Sequence, residues 1–250
     1  MSRFNHPSPC AVTYALLAVA LCCHVARAAP GDNAPPPDCL YPDVAAGSAR
    51  LGTVRGDAPR SYFVRDAIEA PGCPNASAAC QSKAFVVPGD EVVLSGTLGR
   101  YVCASFANGR GNVTNGWLSD AAVTVSPAAA NAPALADWTG RWVGLEQRIN
   151  IRANAAGELA IEGDATYGSR DPERVKRGAV NMGDISGTVK PVGDTAAFAM
   201  GDNGTLPYEQ AGDDVCRVRL RRLGPYLAVA DNNNCGGHNV SFSGVYRRGR

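Results

Sequence analysis

Between residues 51 and 125, apolar side chains recur at every second position in short runs, and Gly, Pro, Asn and Asp separate the runs. Alternation of this kind puts one set of side chains on each face of a pleated strand, so it predicts half-buried strands joined by turns rather than helices. The runs are Ala84 to Val87, Glu91 to Leu94, Tyr101 to Phe106 and Ala122 to Val125. Pro88-Gly89-Asp90 supplies a tight turn, and Asn108-Gly109 and Asn115-Gly116 tolerate positive φ.

The same alternation returns after residue 137. Ile149 and Ile151, Leu159 and Ile161, Ile185 and Val189, Ala197 and Ala199, Val218 and Leu220, Leu227 and Val229, and Val240, Phe242 and Gly244 are same-face sets. They amount to about eight short strands, the usual count for a small up-and-down barrel. The predicted fold class is therefore all-β.

Composition divides the chain. Residues 127–136 are rich in Ala, Pro and Asn and read as a linker between regions 39–126 and 137–250, while residues 29–38 read as a disordered leader. Before the leader, Arg3 precedes an uncharged apolar run from Ala11 to Val25, too short for a membrane span, and Ala26-Arg27-Ala28 offers small residues for cleavage. Residues 1–28 thus read as a signal peptide. Leu21 before Cys22 does not suit a lipoprotein signal, and no later stretch reaches spanning length. Abundant alanine and an excess of arginine over lysine suit a GC-rich Gram-negative bacterium, which makes the periplasm or the exterior the expected location.

Export changes the charge and cysteine counts. Arg3 and Arg27 leave with the signal and no acid does, so 22 basic residues face 23 acidic ones, a net charge of −1 from the +1 of the full chain. That near balance gives no footprint for nucleic acid. Of the nine cysteines, Cys39, Cys73, Cys80, Cys103, Cys216 and Cys235 survive, without Cys-x-x-Cys spacing, and in an oxidising compartment they predict structural disulfides. Cys216 and Cys235 bracket a hairpin of Val218 to Leu223, Gly224-Pro225 and Tyr226 to Ala230. The other four allow three pairings: Cys73 with Cys80 would close a compact Pro-containing loop and leave Cys39 with Cys103, and a rival joins Cys80 to Cys103 across neighbouring strands.

The run Ala84-Phe85-Val86-Val87-Pro88-Gly89-Asp90-Glu91-Val92, then Tyr101-Val102-Cys103 and Gly116-Trp117-Leu118, resembles a bacterial SH3-like domain over about 51–125. The resemblance implies a small N-terminal β-barrel and makes Trp117 and Tyr101 candidates for a ligand groove. The insertion from Cys73 to Cys80 departs from that pattern. The opening Trp138-Thr139-Gly140-Arg141-Trp142 of the second region is similar to the Gly-x-Trp start of calycin barrels, the lipocalin and avidin group. This implies a C-terminal, roughly eight-stranded antiparallel barrel sealed by Phe242 to Arg247, with Arg247 or Arg248 over Trp142 as a cation–π pair.

Candidate chemistry is sparse. His238 is the one histidine after the signal, and it stands in the Gly-rich run Cys235-Gly236-Gly237-His238-Asn239 without a nucleophile pattern. The carboxylate pairs Asp213-Asp214 and Asp171 with Glu173 lie in turn-like segments. Asp231-Asn232-Asn233-Asn234 offers oxygens but not the spacing of a calcium loop, so no metal and no cofactor is expected. Arg217, Arg219 and Arg221 alternate with apolar residues and would line one face of a strand, able to take carboxylates in bidentate fashion. Arg170, Arg174, Lys176 and Arg177 form a second basic run in an expected loop.

These features predict a noncatalytic envelope binding protein, with peptidoglycan or an envelope or toxin protein as partner. Its candidate contacts are Arg217, Arg219, Arg221, Asp231, Asn233 and His238. The alternatives are an inhibitor or immunity protein against a wall hydrolase or toxin, and a small-molecule carrier using the barrel interior.

Overall fold

Alternation becomes pleat along most of the chain. The computed structural model describes residues 38–249; the expected signal peptide and all of the expected leader except Asp38 lie outside the described residues. The first seven strands are β1 (Arg50–Val54), β2 (Ser61–Val64), β3 (Gln81–Val86), β4 (Glu91–Leu98), β5 (Tyr101–Ala107), β6 (Val113–Ser119) and β7 (Val123–Val125). They form one antiparallel sheet in the order β3-β2-β6-β5-β4-β1-β7.

Both faces of this sheet are covered. Val54, Phe63, Val86, Val92, Leu94, Val102, Ala104, Leu118 and Val123 make the core on one side. Trp117, next to Leu118 and therefore on the opposite face, packs with Cys39 and Cys103 instead. Cys39 is joined to Cys103, which ties the segment before β1 onto β5, and Cys73 is joined to Cys80 within the insertion.

The Ala/Pro-rich stretch runs without regular structure to Ala134, and its end winds into α1 (Leu135–Trp138). Then come β8 (Gly140–Val143), β9 (Gln147–Ala153), β10 (Leu159–Tyr167), α2 (Pro172–Lys176), β11 (Asn181–Val189), β12 (Thr195–Gly201), β13 (Gly204–Pro207), β14 (Arg217–Leu223), β15 (Tyr226–Asp231) and β16 (Gly244–Arg248). These strands form a nearly closed antiparallel barrel in the order β11-β10-β9-β8-β16-β15-β14-β12-β13. The count is nine rather than the expected eight because β13 is a short, wholly exposed return of β12. Across the gap, the Thr188 backbone N–H donates to Thr205 Oγ1 at 2.8 Å.

Two glycines of β11 let the barrel close this tightly. A Cβ on Gly187 would collide with the Phe198 ring, and one on Gly183 with the Cys235 carbonyl. The interior is filled by Trp138, Trp142, Ile149, Ile151, Leu159, Phe198, Phe242 and Tyr246, all essentially without exposure. In β12 it is Ala196 and Phe198 that face inward, so the Ala197/Ala199 set lies on the outside. Cys216 is joined to Cys235 beneath the loop that follows β15.

The two sheets share a third core. Val93 and Ala107 from the first, with Val44 and Ala49 from the segment before β1, meet Leu223, Tyr226, Ala228 and Val245 from the barrel. Polar contacts stitch the same seam: the Tyr226 hydroxyl donates to the Glu91 carbonyl, and Arg247 Nε donates to the Ala107 carbonyl at 3.1 Å. Burial pushes the Tyr226 phenol up to about 12. Gly111, at φ 79°, leaves room for the Gly144 carbonyl where any Cβ would clash.

Candidate functional site

The arginine row of β14 lies on the outer face of the barrel, and its three members differ in partners. Arg217 Nη2 meets Asp213 Oδ1 at 2.7 Å. Arg221 is the most buried of the three: Nη2 meets Asp194 Oδ2 at 2.7 Å, and Nη1 donates to the Ala46 and Ala49 carbonyls of the segment before β1. An outward strand face would ordinarily leave this side chain solvated, but the segment before β1 covers it. Burial raises the Asp194 carboxyl, and the adjoining Arg221 guanidinium more than offsets this, holding it below its ordinary value.

Arg219 has no carboxylate partner among the described residues. Register explains the space around it. Directly opposite lie the short side chains of Ala197 on β12 and Ala230 on β15. Tyr208, in the single 3₁₀ turn after β13, has its ring 4.9 Å from the Arg219 guanidinium and 5.2 Å from that of Arg217, a double cation–π contact. The result is an open cleft of about 420 Å³ lined by Ala45, Gly47, Asp194, Thr195, Arg219 and Arg221. Three guanidinium groups and two carboxylates leave one positive charge, and it sits on Arg219.

The other candidates have different surroundings. Trp117 is fully buried, and its Nε1 donates to Asp66 Oδ2 at 2.9 Å, so this ring is packed with Cys39 and Cys103. Tyr101 is half-buried against the same cluster. Asp66 also accepts from the Cys39 N–H at 3.0 Å and, through Oδ1, from the Ile68 N–H at 3.0 Å. Burial raises its carboxyl, and these donors together draw it below its ordinary value.

Trp142 lies inside the barrel, and the arginine over it is Arg248, at 5.0 Å, joined by Arg222 at 4.5 Å. Arg247 does not reach it. On β16, Tyr246 and Arg248 share the inner face while Val245 and Arg247 share the outer one, so Arg247 covers Tyr226 at the seam, 4.6 Å from its ring. Burial, with the neighbouring Arg248 charge, brings Arg222 down to about 10.

Asp231 Oδ1 accepts from the Ser241 and Ser243 hydroxyls, each at 2.6 Å, which makes it an internal fastener of the loop before β16. Asn233 and His238 are exposed on that loop, with Asn233 at φ 61° and the His238 carbonyl accepting from Asn181 Nδ2 at 2.6 Å. The loop does not bring these three side chains to the arginine row. The acidic pairs have structural partners: Asp213 is bound by Arg217, and Asp171 caps α2 by accepting from the Glu173 and Arg174 N–H groups. Of the basic run expected as loop, Arg174 and Lys176 lie in that short helix, while Arg170 and Arg177 flank it; Arg174 stacks on Tyr167 at 4.7 Å.

Sequence reasoning passed over Asp194 and Thr195, which line the cleft just before and at the start of β12, and Tyr208, which stacks on Arg219 from the turn after β13. Only register places them beside Arg219, and nothing local marks them.

Among the described residues no three His, Cys, Asp or Glu side chains gather as metal ligands, and no helix is long and apolar enough to cross a membrane. Three disulfides fit an oxidising, extracytoplasmic setting. No protein-family model, curated protein or solved structure matches the chain.

Proposed function

We propose that this is a noncatalytic binding protein of the Gram-negative periplasm that holds an anionic envelope component on the outer face of β14. The observation that carries the reading is Arg219: a guanidinium on a rigid strand, without a carboxylate partner among the described residues, facing an open cleft. A charged donor placed this way forms its strong hydrogen bonds with an incoming anion rather than with the protein. The packed barrel interior weighs against a carrier, which needs an internal cavity. We further read the first sheet as SH3-like on Gly116-Trp117-Leu118 and the barrel as calycin-like on Gly140-Arg141-Trp142. The Arg248 guanidinium beside the Trp142 ring supports the second likeness.

Purified cell-wall sacculi test the function. The mature chain should sediment with them at low salt and be released as salt rises, and Arg219→Ala should stay in the supernatant. A wild-type chain that never leaves the supernatant would sink the reading.

A further inference from the structure

Asparagine is followed by glycine three times in the chain, at Asn108-Gly109, Asn115-Gly116 and Asn203-Gly204. In such a pair the next backbone nitrogen can reach the side-chain amide carbon, because glycine has no Cβ to shield it. The fold treats the three pairs differently. Asn108 is half-buried, and its Oδ1 accepts from the Arg110 N–H at 2.9 Å and the Asn112 N–H at 3.2 Å. Asn115 lies within β6, its Nδ2 donates to the Leu40 carbonyl at 3.0 Å, and Phe63 fills the space beside Gly116. Both amides are held.

Asn203 has no such restraint. It is exposed in the two-residue turn between Gly201 and Gly204, and its side chain has no hydrogen-bond partner among the described residues. Gly204 sits at φ 125°, a conformation that side chains rarely adopt, and the space where a Cβ would stand is open. The turn that requires glycine here therefore also leaves the glycine nitrogen unshielded.

We propose that Asn203 is a site of intramolecular deamidation and that its iso-aspartyl product releases β13 from β11. The Gly204 nitrogen attacks Asn203 Cγ; a C–N bond forms there, the Cγ–Nδ2 bond breaks, and ammonia leaves with the Gly204 proton. Water then opens the succinimide at either carbonyl, giving aspartate or iso-aspartate. Aspartate adds a negative charge alone. Iso-aspartate also carries the main chain through Cβ and Cγ, so the turn gains a backbone atom. Gly201 and Gly204 are register partners across that turn, and Leu206 and Pro207 pair onward with Ala199 and Phe198, so a longer turn shifts the register of β13. Thr205, next to the turn, bridges the barrel gap by accepting from the Thr188 N–H at 2.8 Å. Because β13 is wholly exposed, no buried side chain holds it once its register slips.

The test is peptide mapping by mass spectrometry as the folded chain is incubated in warm, mildly alkaline buffer, with a reduced, urea-unfolded sample alongside. In the folded chain Asn203 should gain the mass of an amide-to-acid exchange about tenfold faster than Asn108 or Asn115, whose amides must first give up the bonds that hold them. In the unfolded sample the three should convert at similar rates. Asn203→Gln sets the amide one carbon further from the nitrogen and should abolish the change at this position. Equal rates at the three positions of the folded chain, or conversion led by Asn108 or Asn115, overturns the site. So does an Asn203 that stays intact in the folded chain while its unfolded counterpart converts. Hydrogen exchange at the Thr188 amide reads the release of β13: the separated iso-aspartyl form should lose protection there, while Asn203→Asp, with the charge but not the longer turn, should keep it. Protection retained in the iso-aspartyl form, or lost equally in Asn203→Asp, overturns that release.

Discussion

Asp66 shows what a single side chain does in a thin fold. Its carboxylate satisfies the Trp117 indole and the backbone N–H groups of Cys39 and Ile68, so it locks the segment before β1, the β2–β3 connection and β6 together. Asp66→Ala strands those buried donors and should cost about 3 kcal/mol in chemical denaturation. The sign of its pH dependence follows from the shift: a carboxyl held below its ordinary 3.8 contributes stability that is complete above that value and is lost as pH falls through the folded-state range. Glu146 behaves alike, since burial raises it but the Ser169 hydroxyl and the Gly168 and Arg170 N–H groups lower it further. The thermal midpoint should therefore hold steady above about pH 5 and fall below about pH 4, with a shallower fall in Asp66→Asn. A midpoint that rises on acidification would contradict this. None of this was legible beforehand, because Asp66 sits in a stretch without pattern and its partners are up to 51 residues away.

At the scale of elements, the strands were the readable part. The hairpin expected over Val218 to Leu223 and Tyr226 to Ala230 lies within β14 and β15, because alternation and a Gly-Pro turn act locally. The alternation of Arg217, Arg219 and Arg221 likewise gave their common face, but not their inequality, which depends on the segment before β1 that covers Arg221. Nor did it separate Arg247 from Arg248; only the start of β16 sets that parity. The glycines of β11 were also silent in the sequence. Gly183→Ala would push a methyl group into the Cys235 backbone, and the bridge to Cys216 limits how far that loop can yield. Gly187→Ala meets the Phe198 ring, which has no free space in a filled barrel. Each should destabilise by about 1–3 kcal/mol, with Gly183→Ala the worse of the two. Indifference at both positions in urea titrations would mean that the barrel is looser than its packing implies.

For the whole molecule, the seam decides how stability is shared. The linker composition suggested two separable regions, yet Tyr226 is fully buried between them and bonded to the Glu91 carbonyl. Tyr226→Ala should cost about 3 kcal/mol or more, and hydrogen exchange should show protection falling in β5 and β15 alike. Loss confined to β15 would show that the halves unfold independently. The disulfides among the described residues do not cross this seam: two lie before it and one after, with Cys73–Cys80 enclosed between Cys39 and Cys103. That enclosure bears on biogenesis. Cysteines oxidised in their order of emergence would join Cys39 to Cys73 and Cys80 to Cys103, so the native arrangement requires either that oxidation wait for folding or that an isomerase undo the first choice.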